Sequence, residues 1–122
     1  MLVAMVIGLV GGIALGFSLD ISYPTEYSFY ITMGLLAAID SIVGAARSHL
    51  EEKYNNLIFI TGFVTNALLA GCLAYLGDRL GVPLYYAAIL VFGGRLFLNL
   101  AVIRRVLIDK FLEKKDKGIT KK

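Results

Sequence analysis

The sequence predicts an all-α membrane protein, a compact bundle of four transmembrane helices with both termini in the cytoplasm. Three observations lead to this fold class. The chain has 122 residues and is 58% hydrophobic, which is high for a soluble domain of this size. Its apolar residues form four blocks of bilayer-spanning length. Eight of its twelve Lys and Arg lie at or after Arg104, directly behind the last block.

The first predicted span covers residues 2–19, which is about 27 Å of helix at 1.5 Å per residue. It is followed by Asp20 and by a short loop containing Pro24. No Lys or Arg precedes its apolar run and no small-residue cleavage site follows it. We therefore expect a retained span rather than a removed signal peptide.

The remaining spans are predicted at residues 27–46, 57–76 and 84–103. The second is the weakest, because it carries Asp40 among several small residues. The fourth ends at the pair Arg104 and Arg105, which stops an apolar helix at the membrane surface. The four spans make one domain, residues 1–108, and residues 109–122 form a basic tail.

The distribution of basic residues predicts the orientation of the spans. The loop between the second and third spans carries Arg47 and Lys53, whereas the loops on the other side carry only Arg79. By the positive-inside rule, the middle loop and both termini are cytoplasmic. The tail directly follows a span, so anionic lipid at the cytoplasmic face is its expected partner, and nucleic acid is not.

Polar residues of three different spans are predicted to meet near the bilayer centre. Arg95 lies nine residues before Arg104 and Asn66 nine residues after Leu57, so both are about 13–14 Å from the cytoplasmic edge. Asp40 is within one helical turn of that level. A lone charge there costs about 2.5–3.5 kcal/mol on insertion scales.

Such a cluster has two interpretations, which do not exclude each other. The favoured one is a buried ion pair between Asp40 and Arg95, with Ser41, Asn66 and Asn99 supplying further hydrogen bonds. The other is a proton, ion or substrate site, because charges at mid-membrane depth often mark pathways.

Two helix faces are rich in small residues, which let backbones approach closely inside a membrane. Gly8, Gly12 and Gly16 form a stripe on the first span, either for packing within the chain or for self-association. A second face lies on the third span. Its small residues are Ala67, Ala70, Gly71 and Ala74. A unit this small uses only part of its surface internally, so we expect a homo-oligomer, with other membrane proteins as further candidate partners.

The sequence contains no set of residues typical of catalysis. It has one His, no phosphate-binding loop and no cluster with metal-ligand spacing. We therefore expect no enzymatic activity, no cofactor and no metal.

Three segments resemble the bacterial small basic protein family, a domain of unknown function. They are LLAAIDSIVGAARSHLEEKY (35–54), NALLAGCLAYLGDRLG (66–81) and GGRLFLNLAVIRR (93–105). The resemblance covers roughly residues 2–108. It implies a plasma-membrane protein whose genes often lie near cell-division and envelope genes, and it carries no activity over to any residue. The matching polar positions are Asp40, Arg47, Asn66, Asp78, Arg95, Asn99, Arg104 and Arg105.

These observations lead to three functional hypotheses. The first is an oligomeric, non-enzymatic scaffold or accessory factor for the envelope or division machinery. The second is a small oligomeric ion channel or transporter whose path is lined by Asp40 and Arg95. The third is a binder of lipid headgroups through a cytoplasmic pocket of Arg104, Arg105 and Lys110, although basic residues beside a span more often determine topology.

Overall fold

The fold of the chain is entirely α-helical in a computed structural model that describes residues 2–22 and 24–120. The helices are named α1 to α4 in chain order, and a short 3₁₀ turn, Thr25–Tyr27, precedes α2. Their bounds are Leu2–Ser18 (α1), Ser28–Leu50 (α2), Asn56–Leu80 (α3) and Tyr85–Thr120 (α4).

Three stretches of helix are long and apolar enough to cross a membrane: Thr25–Leu50, Asn56–Leu80 and Tyr85–Ile119. They indicate a membrane protein. Helix α1 is also apolar, but its 17 residues make it shorter than the other three.

Helix α2 is the centre of the bundle and packs against both α3 and α4, which contact each other far less. Met33 and Ala37 of α2 are almost completely buried. They meet small side chains that allow close approach of the helices. The other buried members of this core are Ala70 and Ala74 of α3 and Ala88 and Phe92 of α4.

Helix α1 stands apart from this bundle, contrary to the compact four-helix packing that the sequence suggested. Within the described chain it touches only α2, and only slightly. A Cβ atom added at Gly8, Gly12 or Gly16 would meet nothing within 4 Å. The physical reason is that lipid tails solvate an apolar helix as well as a neighbouring helix does, so no hydrophobic force draws α1 onto the bundle.

The turn between α3 and α4 depends on two glycines. Gly81 ends α3 with a φ of 65°, the left-handed conformation that glycine adopts without strain. The carbonyl of the buried Gly77 accepts a hydrogen bond from the backbone of Val82 at 3.0 Å. This tight turn brings α4 back along α2.

Helix α4 continues past Arg105 without a break to Thr120. The predicted tail, residues 109–122, is therefore helical as far as it is described, and Lys121 and Lys122 lie outside the described residues. Lysine and glutamate favour helix, and Lys117 lies 2.5 Å from Glu113, one turn earlier.

The two ends of the bundle differ in charge. We call the end where α2 stops and α3 starts the basic end, since Arg47, Lys53, Arg104 and Arg105 lie there. The opposite end is formed by the start of α2 and by the turn between α3 and α4.

Candidate functional site: a polar cavity at the basic end

Asp40 and Arg95 are in contact across the interface between α2 and α4. Nη2 of Arg95 lies 3.2 Å from Oδ2 of Asp40. The two side chains have different surroundings: Asp40 is 0% exposed, whereas the side chain of Arg95 is 46% exposed. The buried carboxylate of Asp40 thus contacts the more exposed guanidinium of Arg95 from the interior of the helix bundle.

The hydrogen bonds expected around this pair are not formed. Among the residues that the structure describes, neither oxygen of Asp40 has a hydrogen-bond partner, because the 3.2 Å contact with Arg95 is not aligned as a hydrogen bond. The buried hydroxyl of Ser41 has no such partner either. Buried polar groups without partners are uncommon, and each calls for an explanation such as strain, a functional role, or a bound water or ion.

A cavity of about 430 Å³ lies beside the pair, with α2 as its floor and α3 and α4 as its walls. Its lining residues come from all three helices, and α3 and α4 contact each other much less than either contacts α2. Arg95 lines it and Asp40 does not. The lining residues are Ser41, Gly44, Ala45, Arg47, Ser48, Glu51, Lys53, Tyr54, Asn55, Ile58, Phe59, Gly62, Phe63, Asn66, Arg95 and Asn99.

Arg47 connects α2 to α4 at the cavity mouth. Its Nη1 donates to Oδ1 of Asn99 on α4 at 3.1 Å, and its Nε lies 3.4 Å from Oε2 of Glu51, one turn further along the chain. The loop that follows is held in place by Asn55, whose side chain accepts hydrogen bonds from the backbone of Leu57 and Ile58 and caps α3.

The structure brings the five residues of the predicted cluster close together, but not with the predicted hydrogen bonds. Ser41, Asn66, Arg95 and Asn99 share the cavity, and Asp40 lies just behind it. However, the hydrogen bond of Asn99 is with Arg47 rather than with the ion pair.

The three basic residues considered for a headgroup pocket do not converge. Arg104 and Arg105 line a separate open groove on α4, together with Arg47. Lys110 instead donates to the backbone carbonyl of Leu50 at 3.3 Å, on another side of the basic end. A single pocket of Arg104, Arg105 and Lys110 is therefore not formed.

The small-residue faces also differ in their surroundings. On α3, Ala70 and Ala74 are buried in the core, and Ala67 packs against it. Gly71, on the same helix, has nothing within 4 Å of an added Cβ. The α3 face is thus largely used inside the chain, whereas the α1 stripe is not.

Sequence reasoning missed the residues at the cavity mouth: Arg47, Glu51, Lys53 and Tyr54. A signal was available for the first of them. Arg47 lies seven residues after Asp40, which is two helical turns, so both project from the same face of α2. The loop residues carry no comparable periodicity.

The cavity offers mainly hydrogen-bond donors and positive charge. Three cationic side chains line it against one carboxylate, that of Glu51. No group of three His, Cys, Asp or Glu in the described residues is arranged to hold a metal ion. The chemistry that suits this lining is recognition of an anion.

The protein family whose description reads "Protein of unknown function (DUF1290)" matches residues 23–108. The chain belongs to this family. The family match contains α2, α3 and every residue of the cavity, whereas α1 lies outside it.

Individual relatives agree with this assignment. The "Small basic protein" of Bacillus subtilis (strain 168) is 50% identical over 113 residues, covering 92% of this chain and 93% of the relative. "Uncharacterized protein Rv1824" of Mycobacterium tuberculosis (strain ATCC 25618 / H37Rv) is 38% identical over 98 residues, covering 79% and 81% respectively. The resemblance to the small basic protein family is thus confirmed. No solved structure matches the chain.

Proposed function

We propose that this protein is a non-enzymatic scaffold or accessory factor of the bacterial plasma membrane, and that it acts as an oligomer. Its resemblance to the small basic protein family supports a place beside the envelope or division machinery. The observation that carries the proposal is the position of α1, an apolar helix that leaves its small-residue stripe without a partner in the described chain.

A helix of this composition is suited to contact another membrane helix. Gly8, Gly12 and Gly16 recur at four-residue spacing, so they lie along one face and let a second backbone approach closely. The comparable face of α3 is already occupied by α2 through Ala70 and Ala74. Helix α1 is therefore the element most open to a second copy or to another membrane protein.

The orientation proposed for this assembly has four spans and places the basic end and both termini in the cytoplasm. Basic residues at the cytoplasmic end of the bundle then face anionic lipid, which contributes about 1 kcal/mol per basic residue near the surface. Helix α4 continues unbroken to Thr120, so its lysine-rich end extends into the cytoplasm, where it is placed to contact other proteins.

Substitutions on α1 test the scaffold proposal. Gly12→Ile blocks the stripe, and Ala14→Ile adds the same side chain on the opposite face of α1, two residues away. Chemical cross-linking in native membranes, followed by purification in mild detergent, reports oligomers and co-purifying proteins. We expect Gly12→Ile to abolish the cross-linked species and Ala14→Ile to preserve them. Recovery of the wild type as a monomer without partners would contradict the proposal.

A second candidate function is an ion channel or transporter. The observation in its favour is the half-exposed Arg95 beside a cavity at the basic end. Flux of ions or protons into proteoliposomes measures it directly. A robust flux that Asp40→Asn abolishes would favour transport over scaffolding, and a wild-type protein without flux would eliminate the channel.

A further inference from the structure

We propose that the cavity at the basic end is a binding site for a phosphate-bearing anion, with Arg95 as the residue that recognises the phosphate. This inference is independent of α1 and of any assembly that α1 makes. It follows from the charge, burial and shape of the cavity.

The charge of the lining favours an anion over a cation. Arg47, Lys53 and Arg95 face Glu51 as the only carboxylate among the lining residues. That carboxylate is already engaged by Nε of Arg47. Lys53 forms no ion pair with any residue in the described ranges 2–22 and 24–120.

Arg95 is held in a way that suits recognition of phosphate. Nη2 of Arg95 lies 3.2 Å from Oδ2 of Asp40, and the half-exposed Arg95 side chain also lines the cavity. A guanidinium presents its donors in a planar fork that matches two phosphate oxygens. Because the carboxylate of Asp40 is completely buried, it positions Arg95 without competing for a ligand inside the cavity.

Neutral donors complete the site. Ser41 is 8% exposed, lines the cavity, and its hydroxyl has no hydrogen-bond partner among the described residues. Asn99 is also 8% exposed and lines the same space. A buried hydroxyl without a partner costs free energy unless a polar group satisfies it, and Ser41 is such a residue beside this space.

The shape of the cavity suits a phosphate that carries an organic group. Its volume of about 430 Å³ is far larger than a phosphate ion requires. Phe59 and Phe63 line the α3 side and supply apolar contacts. The phosphate that fits this lining belongs either to a lipid headgroup of the bilayer or to a soluble ion at the basic end.

Binding measurements on the full-length protein in neutral detergent test the site and its source of phosphate. Native mass spectrometry with phosphatidylglycerol and phosphatidylcholine reports lipid binding. Calorimetry with inorganic phosphate reports binding of the free ion. We expect the wild type to bind phosphatidylglycerol or inorganic phosphate, and either result supports a phosphate site. A wild type that binds neither would overturn it.

Two variants show whether the ligand occupies this cavity. The double variant Asp40→Asn/Arg95→Gln removes the recognising group without leaving a buried charge alone. Gly62 lines the cavity, and nothing lies within 4 Å of a Cβ added there. Gly62→Leu therefore fills the cavity without a clash at the Cβ and without changing any charge. The double variant should weaken binding about tenfold or more, the loss expected for a hydrogen bond to a charged group. Gly62→Leu should weaken binding to a similar extent because its side chain occupies the space of the ligand.

Two controls separate this site from other basic surfaces. Gly71→Leu places the same side chain on the opposite face of α3. Arg104→Gln/Arg105→Gln removes two charges from the other groove. Both should bind as the wild type does. Circular dichroism and gel filtration verify the fold of every variant. Binding that survives in folded Gly62→Leu and Asp40→Asn/Arg95→Gln proteins, or that is lost only with Arg104 and Arg105, would overturn the proposal.

Discussion

Asp40 and Arg95 form an ion pair whose two members lie in very different environments. The carboxylate of Asp40 has no contact with solvent, whereas almost half of the Arg95 side chain is exposed. A buried ion that loses its partner is strongly destabilising, because its desolvation is no longer offset. Arg95 lies at mid-membrane depth but also lines the polar cavity, so water in the cavity can hydrate its guanidinium when Asp40 is removed. The pair is therefore asymmetric in energy as well as in geometry.

This asymmetry predicts unequal effects of removing the two side chains. Arg95→Ala leaves a buried carboxylate alone and should cost about 3–5 kcal/mol of unfolding free energy. Asp40→Ala leaves Arg95 free to turn toward the cavity and should cost less, about 1 kcal/mol. Equilibrium unfolding in mixed micelles measures both values. Equal losses of unfolding free energy in the two variants would contradict the unequal exposure of the two side chains.

The hydroxyl of Ser41 provides a second prediction about a single residue. It is buried without a hydrogen-bond partner in the part of the chain that the structure describes, so removing it loses no bond of the unliganded protein. Ser41→Ala should therefore change the free energy of unfolding by less than about 1 kcal/mol or raise it. The same micelle unfolding assay tests this. A large destabilisation would indicate that the hydroxyl is bonded in solution.

The contact between Asp40 and Arg95 was predictable from the sequence, but the cavity was not. Counting residues from the predicted helix ends places both charges at one depth, which needs only the rise of an α-helix. A cavity depends on how far two helices separate. Here α3 and α4 each pack mainly on α2 and contact each other little, and no local pattern in either helix encodes the distance between them.

Among the helices too, features that depend on the local sequence were predictable, whereas features that depend on packing between helices were not. The four apolar blocks correspond to α1, α2, α3 and the first part of α4, since hydrophobic length is a local property. The separate position of α1 was not predictable, because its packing depends on what surrounds it in the membrane. The helical tail was predictable in principle from its lysine and glutamate content.

The turn that joins α3 to α4 predicts a sharp sensitivity at Gly77. A Cβ added there would lie 2.5 Å from the carbonyl oxygen of Val82 and 3.0 Å from the backbone nitrogen of Leu84. Backbone atoms in a tight turn cannot yield cheaply, so Gly77→Ala should destabilise the protein by about 1–3 kcal/mol.

Gly71→Ala on the same helix is the matched control, because nothing lies within 4 Å of an added Cβ at that position. Alanine favours helix over glycine, so this variant should be neutral or slightly stabilising. Thermal unfolding in detergent, followed by circular dichroism, compares the two. Equal stability of the Gly77 and Gly71 variants would show that the turn is looser than the structure has it.

For the whole molecule, the charge difference between the two ends predicts how the protein lies in the membrane. With the basic end in the cytoplasm, Val82 at the opposite end is outside, while Lys53 and Lys115 are inside. After Cys72→Ser removes the native thiol, single cysteines at these positions report their side through an impermeant maleimide. In intact cells, we expect labelling of Val82→Cys only. Permeabilised cells should show labelling of all three.

The same assay decides whether α1 spans the bilayer. Its length of 17 residues is near the lower limit for a membrane-spanning helix. A cysteine in a short tag placed before Met1 is protected in intact cells if α1 crosses, since four spans return the N-terminus to the cytoplasm. It is labelled if only three helices cross. We expect protection, because no charged residue lies within α1 to hold it at the interface. Labelling of this tag together with Val82→Cys would place α1 on the outer surface, and its stripe could not then meet a partner within the bilayer.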